Sequence, residues 1–156
     1  MEKVRIFFDE TGEFEPGKVK LLSGVMGLYF ICLSETGIRY PFGMSRLIYI
    51  GMSEKRTNSI GKRLLDHYEG KSGNVGLVNY RELETLRFTY INFEMLRKVW
   101  DYRIEDLESY FILDFVKKYG VYPICNNKSG FEIKKNDVRV ELDIDWGFFE
   151  GEMKNV

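Results

Sequence analysis

Residues 24–51, GVMGLYFICLSETGIRYPFGMSRLIYIG, decide the fold. They contain two short apolar runs rich in β-favouring side chains: GLYFICL at 27–33 and LIYI at 47–50. Runs this short, bounded by glycine on one side and a Ser-Glu-Thr-Gly cluster on the other, read as buried strands. Gly37, Pro41 and Gly43 predict a loop over 34–45. That connection is too short for a comfortable parallel crossover, so the two strands are expected to lie side by side and antiparallel. Gly51 is expected to end the second strand.

Asn58 or Ser59 can cap a helix over about 59–69. At 100° per residue Ile60, Leu64 and Tyr68 share one arc, while Lys62, Asp66 and Glu69 face away. Arg63 and His67 stand at i and i+4 on the border of that arc, and His67 is the single histidine of the chain. Three glycines, Gly70, Gly73 and Gly76, predict a loop over 70–82. LRFTYINF at 86–93 is a third strand. A helical stretch follows from near Glu94 to about Lys118, with a break near Tyr102, closed by Gly120 and Pro123. Residues 4–8 form a candidate N-terminal edge strand. VRVELDI at 138–144 alternates as a half-exposed strand, expected to pair with 131–133 through the KKND turn. The predicted fold class is α/β of the α+β kind. It has a small central, mostly antiparallel three-stranded sheet flanked by helices, with an added C-terminal hairpin.

The length of 156 residues suits one domain with its own core. No apolar run approaches the ~18 residues a membrane span requires. The N-terminal MEKVRIFFDETGEFE turns acidic where a signal peptide would be apolar. Cys32 and Cys125 follow no metal-ligand spacing and read as buried thiols of a reducing, cytoplasmic compartment. A net charge of -1 gives no global attraction for nucleic acid. The charge is uneven, however, with acidic ends and a basic middle.

The last helix carries an anomaly. Its apolar arc is Ile104, Leu107, Phe111, Ile112 and Phe115, and Glu108 falls inside it. A carboxylate on a buried face is costly unless something pairs with it. Three readings stand: a partner arginine, a helix kink that turns Glu108 away, or a cation held at the floor of a cleft.

Gly27-Leu28-Tyr29 followed by Tyr49-Ile50-Gly51 resembles the paired signature of the GIY-YIG nuclease superfamily. Arg63 matches the arginine of that family's next helix, and His67 the histidine some members carry four residues later. Glu108, in Glu-Ser-Tyr-Phe-Ile, matches the glutamate of its metal helix. Asn126 falls where a Pro-x-x-Asn ending is expected. The resemblance covers about 24–127, with an N-terminal extension at 1–23 and a C-terminal β extension at 128–156. Each residue alone has a plain explanation: strand tyrosines, a solvated helix arginine, a border histidine. The ordered set is far more specific. Leu28 replaces the usual isoleucine. The long spacer before Arg63 leaves Arg56 as the alternative arginine, although it lacks a histidine four residues on.

The resemblance implies a one-metal phosphodiester hydrolase. Glu108 would hold Mg2+ (or Mn2+), and Arg63 would offer its donor fork to a phosphate oxygen. Tyr29 would receive or relay a proton, Tyr49 would orient water or phosphate, and His67 would bond a catalytic tyrosine or take part in proton transfer. Asn126, Gly27 and Gly51 would support the site. Lys55, Arg56, Lys62 and Lys71 are candidate nucleic-acid contacts. The implied function is a stand-alone or restriction-like DNA endonuclease, with a homodimer favoured for cutting two strands and no membrane partner. The alternatives are a non-cleaving nucleic-acid-binding or assembly module that keeps the fold, or a protein-interaction domain that uses the acidic termini.

Overall fold

The computed structural model describes residues 2–126 and 140–151. Its organising element is strand β3 (Gly27–Leu33), buried along its whole length. A strand covered on both faces needs no polar alternation, which is why its sequence is a continuous apolar run. β6 (Leu47–Ser53) and β7 (Leu86–Asn92) pair with it on either side, both antiparallel. A two-residue strand, β2 (Gly12–Glu13), extends the sheet beyond β7, giving the order β2-β7-β3-β6. The predicted three-stranded antiparallel centre is present, with β6 as its outer strand.

Alternation along β3 divides the interior. Tyr29, Ile31 and Leu33 pack with Ile48, Ile60, Leu64, Leu77 and Cys125 on the side of α1 (Pro16–Val19), α2 (Ile60–Glu69) and α3 (Val75–Leu83). Leu28, Phe30 and Cys32 pack with Leu107, Phe111, Ile112 and Phe115 of α5 (Ile104–Tyr119) on the other. Fully burying one such apolar side chain stabilises the fold by roughly 1.5–3 kcal/mol. A register shift between Ile31 and Cys32 makes Ile48 an extra residue in β6. Ile48 and Tyr49 therefore both join the α2 side. Bulges commonly re-aim side chains next to functional sites.

Several expectations require correction. Residues 34–45 are not a plain loop: β4 (Ile38–Tyr40) and β5 (Gly43–Ser45) form a small hairpin there. Gly51 does not end its strand, since β6 runs on to Ser53. Within the expected 70–82 loop lies α3, capped by Asn74, whose side chain accepts from the Leu77 N–H. The expected long helix after β7 is two: α4 (Phe93–Leu96) and α5, separated around Tyr102 as anticipated.

The termini lie elsewhere than on the sheet edge. β1 (Glu2–Ile6) pairs in parallel with β8 (Val140–Ile144), from Glu2 opposite Val140 to Ile6 opposite Ile144. The expected hairpin partner at 131–133 lies outside the described residues. Phe8, Trp146 and Phe149 fill the α5 side of the core. Phe8 meets Phe30 edge-on at 4.8 Å, and Trp146 Nε1 donates to Asp114 at 2.8 Å. Among the described residues no helix is long and apolar enough to cross a membrane.

Candidate active site

A cleft of about 290 Å³ lies against β6. There the α2 side and the α5 side of the fold meet around the last strand of the sheet. Its lining includes Tyr49, Met52, Arg63, His67, Ser72, Glu108 and Asn126. A second hollow of about 230 Å³ adjoins it and shares Arg63, His67 and Ser72.

Register places the first tyrosine. Tyr29 stands directly opposite Gly51 on β6. A Cβ built on Gly51 would overlap the Tyr29 ring and its hydroxyl, so glycine is required for the ring to lie across β6. Gly27 opens β3 at φ 151°, where a side chain would strike the Ile91 carbonyl. Tyr29 is 0% exposed. Its hydroxyl reaches the cleft through two neighbours: it is 2.9 Å from His67 Nε2 and accepts from Arg63 Nε at 3.3 Å. The Tyr29 and Tyr49 ring centroids are 6.0 Å apart. Tyr49 meets the His67 ring edge-on at 5.0 Å.

Helix α2 delivers the two basic groups. Ser59 caps its N-terminus by accepting from the Lys62 N–H. The apolar residues Ile60 and Leu64 dock the helix. With that face fixed, the i and i+4 pair of Arg63 and His67 turns to β6. His67 is buried rather than marginal. Its Nδ1 is 2.7 Å from Ser72 Oγ.

Helix α5 brings Glu108 from the opposite layer. The helix is continuous from Ile104 to Tyr119, so a kink does not account for a carboxylate on the inner arc. Glu108 is half-buried and lines the cleft. Of the two remaining readings, a partner arginine and a cation, the arrangement accommodates both, because Arg63 shares the cleft and feels the Glu108 charge.

Asn126 holds the edge strand. Its Oδ1 accepts from the Ile50 N–H at 3.0 Å, and its Nδ2 donates to the Ile50 carbonyl at 2.8 Å. The Cys125 N–H donates to the Ile48 carbonyl at 2.9 Å. This short segment acts as a false strand beside β6 and fixes the backbone between Tyr49 and Gly51.

Electrostatics follow from burial. Burial pushes the Tyr29 hydroxyl well above the ordinary tyrosine range; Tyr49 adds to this and Arg63 opposes it. Tyr49 is raised by burial and by Glu108, again against Arg63. Burial and then Arg63 pull His67 down to about 4, with Asp66 opposing, so its imidazole is neutral at physiological pH. Burial lowers Arg63, yet Tyr29, Tyr49 and Glu108 together raise it, so it stays a cation.

The candidate nucleic-acid contacts divide. Lys55 and Arg56 are exposed on the connection between β6 and α2. Lys62 pairs with Asp66 at 3.0 Å and Lys71 with Glu69 at 3.5 Å. Arg63 lines the cleft and Arg56 does not. Ser72 and Asn74 also line it and were not anticipated from sequence. A signal for Asn74 exists: it is a good N-cap residue just ahead of the apolar-rich VGLVNYREL.

Glu108 is the carboxylate that lines this cleft. Among the described residues no group of three or more His, Cys, Asp or Glu can hold a metal ion, so no protein cage is available there. A single hard carboxylate facing a polar cleft with room for several waters suits an ion that keeps most of its waters, as magnesium does. Comparison of the chain with family models, curated proteins and solved structures finds no match.

Proposed function

We propose that the chain is a metal-dependent endonuclease that hydrolyses phosphodiester bonds in DNA, with a site of the GIY-YIG type. One observation carries the reading. β3, β6, α2 and α5 converge so that Tyr49, Arg63, His67 and Glu108 line one cleft, and Tyr29 is bonded to two of them. Packing alone gives no reason for two tyrosines, an arginine, the sole histidine and an inward carboxylate to meet there.

Glu108 would anchor Mg2+ (or Mn2+). Such an ion, when bound, lowers the pKa of a water and relieves charge on phosphoryl oxygens. The chain does the rest. Arg63 gives its Nε–H to Tyr29 and keeps the other nitrogens of its fork for a non-bridging phosphate oxygen. Tyr29 is wholly buried, so for its hydroxyl to meet the attacking water Arg63 would have to leave it on engaging that oxygen. Tyr29 accepts the proton of the attacking water as it yields its own to His67 Nε2, which is neutral and 2.9 Å away. Tyr49, on the cleft wall, orients the water. Asn126 keeps β6 in register beneath it.

A non-cleaving nucleic-acid-binding or assembly module that keeps the fold is the second reading. Its assembly form, without cleavage, is favoured over DNA contact by the ion pairs that occupy Lys62 and Lys71, because they reduce the positive charge available to a phosphate backbone. Two buried free thiols, Cys32 and Cys125, support a reducing, cytoplasmic setting. Cutting both strands with one site per chain calls for a homodimer on DNA.

The experiment is nicking of supercoiled plasmid with Mg2+ and with chelator, beside Glu108→Ala and Tyr29→Phe. Metal-dependent nicking that both changes abolish supports the enzyme. Retained DNA binding without cleavage, indifferent to Glu108→Ala, supports the module and refutes the enzyme.

A further inference from the structure

The loop between α2 and α3 carries a residue whose position has a consequence for His67. Ser72 Oγ sits 2.7 Å from His67 Nδ1. The loop is tied on both sides of that contact: the Ser72 N–H donates to the Asp66 carbonyl at 3.3 Å, and the Asn74 N–H donates to Ser72 Oγ at 3.3 Å. Asn74 is itself held, donating from Nδ2 to the Cys125 carbonyl at 2.9 Å.

The proton count at the other end of the imidazole decides its tautomer. Tyr29 is wholly buried, and its hydroxyl must place its proton on a protein acceptor. Its hydroxyl meets Arg63 and His67 directly and lies against the Tyr49 hydroxyl as well. Arginine is donor-only, and a neutral imidazole nitrogen at 2.9 Å is a better acceptor than the phenol oxygen of Tyr49, so the Tyr29 proton goes to His67 Nε2. A neutral imidazole then carries its one proton on Nδ1, and that proton needs an acceptor. Ser72 Oγ is the acceptor within reach.

We infer that Ser72 is the positioning residue that holds His67 as the Nδ1–H tautomer, with Nε2 free to take the Tyr29 proton. The groups around the ring agree with this arrangement. Arg63 and Asp66 flank it on α2, Tyr29 faces it from β3 and Tyr49 from β6. None of them competes with Ser72 for Nδ1. With Nδ1–H and the Asn74 N–H both donated into Ser72 Oγ, the hydroxyl's own proton is left for the cleft that Ser72 lines.

The tautomer assignment stands on the hydrogen-bond geometry together with the neutrality of His67; its catalytic consequence rests on the nuclease reading. The sole histidine makes the test unambiguous. In the uniformly 15N-labelled full chain at neutral pH, a long-range 1H–15N correlation should show a pyrrole-type Nδ1 and a pyridine-type Nε2. Ser72→Ala should give an averaged, mixed pattern, and Ser72→Thr, which restores the hydroxyl, should recover the wild-type one. Plasmid nicking should fall about five- to tenfold in Ser72→Ala, the size of one lost hydrogen bond, with DNA affinity unchanged and Ser72→Thr active. A pyridine-type Nδ1 in the wild-type chain overturns the inference whether or not any variant folds. So does an unaltered tautomer pattern in folded Ser72→Ala. A correct tautomer in a chain that nicks nothing would overturn the nuclease reading and leave the role of Ser72 intact.

Discussion

Replacing His67 by phenylalanine should remove a pH dependence of stability whose size the structure sets. Burial, and after it the Arg63 guanidinium, take the imidazole from 6.5 down to about 4, against a smaller opposing effect of Asp66. In the unfolded chain the same group titrates at about 6.5. Between those values the unfolded state binds a proton that the folded state refuses. The contribution of neutral His67 is therefore complete above about pH 6.5 and is lost as pH falls toward 4. The displacement corresponds to ~3 kcal/mol, a large part of the roughly 5–15 kcal/mol that stabilises a domain. Carboxylates also destabilise the fold in acid, but they do so in both proteins. The informative quantity is therefore the difference in urea unfolding free energy between wild type and His67→Phe, followed from neutral pH into acid. The wild-type advantage should shrink by about 3 kcal/mol over that window. A constant difference would refute the reasoning, as would an imidazole NMR titration midpoint at the unfolded value.

Four shorter expectations follow from the same contacts. Asn126→Ala strands both the N–H and the carbonyl of Ile50 on a buried edge; unfolding in urea should show a loss of about 2–4 kcal/mol, and a loss under 0.5 would contradict the clamp. Gly51→Ala forces its Cβ into the Tyr29 ring, with an expected cost of about 1–3 kcal/mol and a shifted His67 resonance as the ring is pushed off Nε2; an unchanged resonance counts against it. Glu84 gathers the N–H groups of Ser34, Glu35 and Thr36 and the Thr36 hydroxyl, so Glu84→Ala should loosen the β3–β4 connection and cost about 1–3 kcal/mol, read by hydrogen exchange at those three amides. Trp146→Ala opens the α5 side of the core, and thermal unfolding should report a loss of about 3–5 kcal/mol; near-wild-type stability would mean that the C-terminal segment is not part of the core.

How far the chain could be read in advance depended on range. β3 and α2 carry their own signals in short windows: an apolar run between breakers, and a capped amphipathic stretch. Glu108 was visible as a misplaced charge because α5 is long and regular enough to make its wheel meaningful. α3 was hidden by Gly73 and Gly76, whose low helix propensity outweighed the Asn74 cap. The β1–β8 pairing joins opposite ends of the chain in parallel, and no local periodicity encodes a partner at such a distance. Gly51 shows a different limit. Its sequence context read as a terminator, whereas its role is to leave room for Tyr29, a residue on another strand. Ser72 was passed over for a similar reason, since a serine among glycines carries no periodic signal and its importance lies in the single atom of His67 that it meets.

The role proposed for Glu108 is in phosphodiester cleavage, in the cleft shared with Tyr49, Arg63 and His67. Its most direct test is single-turnover cleavage of a short DNA duplex by saturating protein across a Mg2+ titration, wild type beside Glu108→Gln. The wild-type rate should rise and saturate with Mg2+, and the Glu108→Gln rate should be lower by about 100-fold or more, in line with the loss of a main electrostatic group at a reacting centre, with duplex binding retained. Equal rates in the two proteins, or no cleavage by wild type at any Mg2+ or Mn2+ concentration, would contradict it.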